Sequence, residues 1–481
     1  VVGLGIYLVV MIAVGVWASR FMGSLDDFAL GGRRLGPWVT AISERASGES
    51  AWFLLGLPGA AYAIGFTEFW AVIGIAAGVL ASWTLIAYPL RRATERMGAL
   101  TLSEYFEKRF NDSAHLLRGA SSAVILVFYT AYVAAQFVGA GKLFEGTFGL
   151  EPLWGILIGA IIVVVYTLAG GFLAVAWTDL IQGLLMAFAC VVLPVLGIMA
   201  LGGPGALIEN LAARDPNLLT MTGGKTGQAF VFGVMVGSLS WGFGYLGMPH
   251  LLTRYMAIRK ASEIRKGAGI AMSWVLIAYW GAMGIGLVGA ALLGDDLADK
   301  EQVMPVLATT LLPGWLAGLI IAGAIAAMMS TADSQLLVAA SCLVRDVWGA
   351  LVKKGADIAS STQFLASRIA TIGVAAVALG LALRANASGG SLIYDLVSFA
   401  WSGISSSFGP PLLLALYWKG TTRNGAFAGM MTGLLTTILW KVLPGKFEGL
   451  SSAAEILDVK FLSFVLAFVA TWGVSKMGQR G

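Results

Sequence analysis

The chain has 481 residues, 58% of them hydrophobic and only 12% charged, with a net charge of +5. Soluble domains carry about 25% charged residues, so too little charge is present to coat a water-facing surface, and a soluble globular fold is excluded. The excess of Lys and Arg does not mark a nucleic-acid binder, because these residues are scattered in short loops and form no basic stripe.

A helix needs about 20 apolar residues to cross the hydrocarbon core of a bilayer. Runs of that kind recur at 1–19, 38–64, 67–90, 116–144, 152–173, 176–200, 229–253, 267–293, 313–344, 363–383, 391–417, 424–443 and 460–475. The fold class expected is therefore an all-α integral membrane protein with thirteen transmembrane helices and the lipid bilayer as its solvent. The 63 glycines suit close helix contacts and helix breaks in lipid. Residues 1–19 are followed by Arg20 rather than a small-residue cleavage site, so they read as a retained span and not a signal peptide. Cys190 and Cys342 lie inside apolar runs without a CxxC partner, and His115 and His250 are too far apart for a metal cluster.

Alternate loops are rich in Lys and Arg. One set holds Arg20, Arg33 and Arg34; Arg91, Arg92, Arg96, Lys108 and Arg109; Arg254, Arg259, Lys260, Arg265 and Lys266; Arg345, Lys353 and Lys354; Lys419 and Arg423; and Lys476 and Arg480. The other set carries Asp295, Asp296, Asp299 and Glu301. By the positive-inside rule this places the N-terminus outside and the C-terminus in the cytoplasm. The pairs Asp26/Arg33 and Glu104/Lys108 read as solvated loop charges.

Transporters bind their solutes near the bilayer midplane, at helices interrupted so that backbone groups face the ligand. The second span carries such an interruption, Ser43-Glu44-Arg45-Ala46-Ser47-Gly48-Glu49-Ser50, followed by Gly56-Leu57-Pro58-Gly59. Each charge held at the centre of a span costs roughly 2.5–3.5 kcal/mol on insertion scales, so these side chains must face one another or a polar cavity. Asp179 begins the sixth span, with a helix N-cap as its structural alternative. The seventh span is Gly-broken and aromatic from Gly237 to His250. It lies five spans after the second, as corresponding helices of two five-helix inverted repeats do. In the ninth span Ser330, Thr331 and Ser334 lie on or near one helical face, with Asp333 beside them. Hydroxyl, carboxylate and carbonyl oxygens are hard ligands and suit Na⁺ better than a transition metal.

Four segments, Asp27–Pro37 (DFALGGRRLGP), Trp52–Ala60 (WFLLGLPGA), Gly170–Asp179 (GGFLAVAWTD) and Trp241–His250 (WGFGYLGMPH), together with Met329-Ser330-Thr331, resemble the sodium:solute symporter family and within it the sodium/proline symporter branch. The resemblance runs through most of the chain in motif order. It implies a leucine-transporter-like 5+5 inverted repeat with an extra N-terminal helix at 1–19 and two C-terminal helices. The first repeat falls at 38–200, the second at 229–443 and the last helix at 460–475, all in one transporter domain of residues 1–481. It implies a Na⁺ site from the carbonyls of Ala46, Glu49 and Ala327 and the hydroxyls of Ser330 and Thr331. A second cation site, used by some members, falls on Asp179, Ser330, Asp333 and Ser334. The implied substrate pocket lies near Ser50, Ala51, Trp52, Tyr132, Trp241 and Tyr245, where rings cover the apolar face of a small zwitterion such as proline.

The chain departs from the proline branch in the second span. Gly48 stands where that branch has an Asp, Glu44 and Arg45 replace small residues, and Glu49 replaces an apolar one. Glu49 supplies the lost charge, pairs with Arg45, or titrates so that H⁺ couples in place of Na⁺; the sequence leaves all three open. The function expected is cation-coupled symport of proline or a related amino acid across a bacterial inner membrane, with no enzyme activity. An H⁺-coupled symporter for another small solute and a transporter-like membrane sensor remain as alternatives.

Overall fold

The computed structural model describes residues 2–20, 30–169, 171–352, 360–388 and 392–479. Asp26, the Asp27–Ala29 start of the first motif, Gly170, Lys353, Lys354 and Arg480 lie outside them. The described residues are helical apart from turns, loops and a single bridge between Leu35 and Ile258. Their main helices are α1 Val2–Ser19, α2 Pro37–Gly48, α3 Leu57–Ile64, α4 Phe69–Ala81, α5 Ala87–Met97, α6 Leu116–Phe148, α7 Pro152–Ala169, α8 Phe172–Leu201, α9 Pro249–Ala257, α10 Ile264–Leu293, α11 Gly314–Ser341, α12 Ser360–Ala387, α13 Ile393–Tyr417, α14 Arg423–Val442 and α15 Val459–Gly478.

Each of the thirteen apolar runs coincides with helical structure. Among the described residues nine helices are long and apolar enough, by length and composition, to cross a membrane. The difference has local causes. The second run is split by its polar centre and α13 is diluted by Ser402, Ser405, Ser406 and Ser407, while α1 (Val2–Ser19) and α7 (Pro152–Ala169) are apolar over 18 residues each.

The breaks lie where the sequence places them. α2 ends at Gly48, and Glu49 takes an extended conformation (φ −103°, ψ 106°). A π-helical turn over Trp52–Gly56 follows, in which the Leu57 N–H reaches back to Trp52 O. Pro58 has no N–H to give to the i−4 carbonyl, which favours that wider turn. The seventh run passes from a π-helical turn at Val231–Val236 to a 3₁₀ stretch at Ser240–Leu246, and Met248 is extended before Pro249 opens α9.

Glycines let the third and seventh runs approach closely. A Cβ on Gly78 of α4 would sit 2.2 Å from Gly242 O, so the two backbones touch. α8 packs on α2, α10, α11 and α1, while α13, α14 and α15 form a second cluster that meets the first through α6 and the 3₁₀ stretch. The N-terminal amides of α13 are satisfied by Glu301, which accepts from Ile393 N and Tyr394 N at 3.0 Å each and pairs with Lys142 at 2.6 Å.

Candidate cation and solute sites

At the broken end of α2, where Ala46 O accepts the closing Glu49 N–H at 3.2 Å, α11 supplies hydroxyls to the carbonyls. Ser330 Oγ donates to Ala46 O at 2.8 Å and to Ala327 O at 3.1 Å. Thr331 Oγ1 lies 3.0 Å from Glu49 O and 3.1 Å from Ser47 O. Ala46, Glu49, Ala327, Ser330 and Thr331, the expected Na⁺ ligands, are thus drawn into one buried cluster. Its oxygens are three carbonyls and two hydroxyls, a hard, neutral donor set that fits Na⁺. Among the described residues no group of His, Cys, Asp and Glu could hold a metal ion instead.

The expected solute residues also converge. Trp52 and Trp241 pack with ring centroids 4.5 Å apart. Tyr132 OH donates to Ser50 Oγ at 3.3 Å, and the free Ala51 N–H donates to Gln136 Oε1 at 2.8 Å. Tyr245 OH meets Tyr279 OH at 2.9 Å. Trp401 and Tyr394 of α13 complete the enclosure: Trp401 Nε1 donates to Trp241 O at 3.0 Å and Trp241 Nε1 to Tyr394 OH at 3.1 Å. All six residues are buried, Trp52 being the most exposed at 4%.

The three charges of the second run face one another. Arg45 binds Glu44 through two hydrogen bonds, Nε to Oε2 at 2.7 Å and Nη2 to Oε1, and reaches Glu49 Oε1 from Nη1 at 3.3 Å. Glu44 accepts further from Trp83 Nε1 at 3.0 Å and Tyr255 OH at 3.2 Å, and Glu49 accepts from Tyr279 OH. Arg45 also lies 4.8 Å above the Tyr245 ring.

Around the second expected cation position the structure corrects the sequence reading. Asp179 is not an N-cap: it lies inside α8 and accepts from Ser43 Oγ at 2.7 Å and Ser47 Oγ at 2.8 Å. A fixed cation shares its pocket. Arg254, counted above among the loop charges, is 1% exposed, and its Nη2 donates to Asp179 Oδ2 at 3.1 Å, Ser47 Oγ at 2.6 Å and Ser334 Oγ at 2.6 Å. Ser334 in turn donates to Asp333 Oδ1 at 3.2 Å. Asp179 Oδ1 and Asp333 Oδ2 are buried with no hydrogen-bond partner among the described residues. Ser330 takes no part here, since its hydroxyl is spent on Ala46 and Ala327.

Other assignments shift too. Glu104 is no solvated loop charge; it is buried, caps Leu100 N at 2.9 Å and pairs with Arg345 at 2.9 Å. His250 spans from Tyr129 OH (2.8 Å) to Ser47 O (3.1 Å), a structural bridge. Sequence reasoning missed Arg254, Tyr279, Gln136, Tyr394 and Trp401. Only Arg254 carried a signal: it is four residues after His250, whose carbonyl accepts its Nη1 at 2.6 Å, on a helix opened by Pro249 deep in the fold.

An interrupted helix facing an uninterrupted one, with neutral oxygens on one side of the break and aromatic rings on the other, defines a membrane transporter. The fold agrees. A solved Na⁺-coupled sialic acid symporter in a substrate-bound outward-open state superposes with a TM-score of 0.82 at 20% identity, covering 99% of this chain and 97% of that one. MhsT in complex with L-phenylalanine superposes with a TM-score of 0.58 at 14% identity over 91% and 98% of the two chains. The architecture is that of the leucine-transporter-like secondary transporters.

Within that class the chain belongs to the sodium:solute symporter family, whose pattern it matches over residues 28–433. It is 38% identical over 469 residues to the high-affinity proline transporter PutP of Bacillus subtilis, covering 95% of this chain and 96% of that one. It is 39% identical over 444 residues to the sodium/proline symporter of Escherichia coli, covering 91% and 86%. The chain is therefore a multi-pass membrane transporter, not an enzyme.

Proposed function

We propose that this transporter carries a small amino acid, proline first among them, inward across a bacterial plasma membrane by Na⁺ symport. The observation that carries the reading is the pair of α11 hydroxyls, Ser330 and Thr331, cross-bonded to the carbonyls at the broken end of α2. The names of the relatives support Na⁺ and proline as cargo. In this reading Na⁺ takes the place those hydroxyls hold against Ala46, Ala327 and Glu49. It thereby fixes the α2 break against α11, and the adjoining Ser50–Trp52 segment against the rings of Trp241 and Tyr245. The solute's apolar face lies on the rings; the Ser50, Tyr132 and Gln136 groups offer polar partners for its ends.

Two clefts support alternating access. One is lined by Leu102, Thr253, Arg254, Ser334 and Asp346, on the Arg-rich side; the other by Thr67, Glu68, Asp215, Lys225 and Tyr394, on the Arg-poor side. With the N-terminus outside, the first opens to the cytoplasm and the second to the exterior. Rocking of the repeats at 38–200 and 229–443 exposes the sites to each in turn. Asp179 and Ser334 hold the fixed guanidinium of Arg254, so we assign transport to the first cation site alone.

The test is uptake of radiolabelled proline into proteoliposomes under Na⁺ and pH gradients imposed separately. Accumulation driven by the Na⁺ gradient is expected. Accumulation driven by the pH gradient alone sinks Na⁺ coupling, and no uptake under either sinks proline as the cargo.

A further inference from the structure

Glu49 is shared between the cation cluster and the solute pocket. Its carbonyl belongs to the first, accepting Thr331 Oγ1 at 3.0 Å. Its carboxylate belongs to the second, accepting the Tyr279 hydroxyl, which lies 2.9 Å from Tyr245 OH. The Tyr245 ring packs edge-on against Trp401 at 5.0 Å, and Trp401 holds the Trp241 carbonyl. Two hydrogen bonds therefore join the side chain of a cation-cluster residue to a ring of the solute pocket.

We infer that Glu49 is the positioning residue through which cation and solute affect each other's affinity. The inference rests on the Na⁺ symport reading above. Its physical basis is that Glu49 sits in the extended link between α2 and the π-helical turn, tied to α2 through its N–H to Ala46 O at 3.2 Å. Reorienting this residue to give its carbonyl to a cation also moves its carboxylate, and with it the Tyr279 and Tyr245 hydroxyls. A purely structural part as counter-charge to Arg45 does not account for the arrangement. Arg45 already holds Glu44 through two hydrogen bonds, while its one contact to Glu49 is longer, at 3.3 Å. The carbonyl on the cation cluster and the carboxylate link to the rings thus fall on one residue.

Coupling between two ligands is reciprocal, and factors between about 5-fold and 150-fold are usual. The measurement is the ratio of proline KM at low Na⁺ to that at saturating Na⁺, for purified protein in proteoliposomes. In the wild type the ratio is expected to lie in that range. Tyr279→Phe removes one oxygen and keeps the ring; it is expected to bring the ratio close to one. Glu49→Ala is expected to do the same, and the double variant no more than either alone, since residues acting in one chain are not additive. Glu49→Gln keeps an acceptor for Tyr279, so the ratio survives. A Tyr279→Phe protein that folds and retains the wild-type ratio overturns the inference, as do independent, multiplying effects of the two substitutions. A wild-type ratio of one removes the Na⁺ reading itself and this inference with it.

Discussion

Arg254 and Asp179 form an ion pair at 3.1 Å between α9 and α8, with side chains 2% and 0% exposed. The pair sits in a cluster with Ser43, Ser47 and Ser334, and so ties α2, α8, α9 and α11 together at one guanidinium. Removing one partner of a buried pair leaves the other charge uncompensated, which costs about 3–5 kcal/mol. Arg254→Gln is expected to lower the unfolding midpoint of the detergent-purified protein sharply, because Asp179 and Asp333 are then both left without a cation. Adding Asp179→Asn is expected to recover much of the loss. An unchanged midpoint in Arg254→Gln, or no recovery in the double variant, would show that the pair does not hold these helices.

The two hydroxyls of α11 give the most direct test of the cation cluster. A hydroxyl oxygen coordinating a cation is comparable to a hydrogen bond to a charged group, which is worth about 1.5–3 kcal/mol, and about 1.4 kcal/mol is tenfold in affinity. Ser330→Ala with Thr331→Ala should therefore raise the Na⁺ concentration for half-maximal uptake by roughly a hundredfold or more, with protein abundance little affected. Thr331→Ser keeps the oxygen and should stay near wild type. Unchanged Na⁺ dependence in the double alanine variant moves the cation site elsewhere.

How far the sequence led depends on the range of the forces involved. The apolar runs follow from local composition, and the α2 and seventh-run breaks from glycines, prolines and charges within a few residues. The cluster of Ser330 and Thr331 with the α2 carbonyls came from motif resemblance, and the geometry then drew the same five residues together. Arg254 was misplaced because a cation just past an apolar run looks like a topology signal. Only the packing of α9 against α2 shows that it is enclosed. Tyr279 and Trp401 sit in apolar helices where a ring is usually packing; their partners, Glu49 and Trp241, are 230 and 160 residues away. No local pattern carries such pairings.

Close backbone approach between α4 and the Ser240–Leu246 stretch makes a steric prediction. Gly78→Ala places a methyl 2.2 Å from Gly242 O and 2.5 Å from its Cα. Overpacking of this kind costs typically about 1–3 kcal/mol. Gly269→Ala, on the exposed side of α10 with nothing within 4 Å of the new Cβ, is the control. Thermal unfolding should separate the two variants, with Gly78→Ala lower and Gly269→Ala at or above wild type. Equal midpoints would mean that the two segments part easily at Gly78.

Trp241 tests the solute pocket apart from the cation cluster. Its ring meets Trp52 at 4.5 Å and Tyr394 at 5.3 Å, and its indole N–H holds Tyr394 OH. Aromatic pairs add about 0.5–1.5 kcal/mol beyond the area they bury, so loss of the ring removes solute contact and loosens two neighbours. Trp241→Ala is expected to raise proline KM at saturating Na⁺ by tenfold or more, which corresponds to about 1.4 kcal/mol. Trp241→Phe keeps a ring but not the N–H and should fall between. The Na⁺ concentration for half-maximal uptake, read at saturating proline, should move far less, because among the described residues Trp241 makes no hydrogen bond to Ser330, Thr331 or the α2 carbonyls. Wild-type KM in Trp241→Ala would place the solute away from the seventh-run break and leave the rings there as packing.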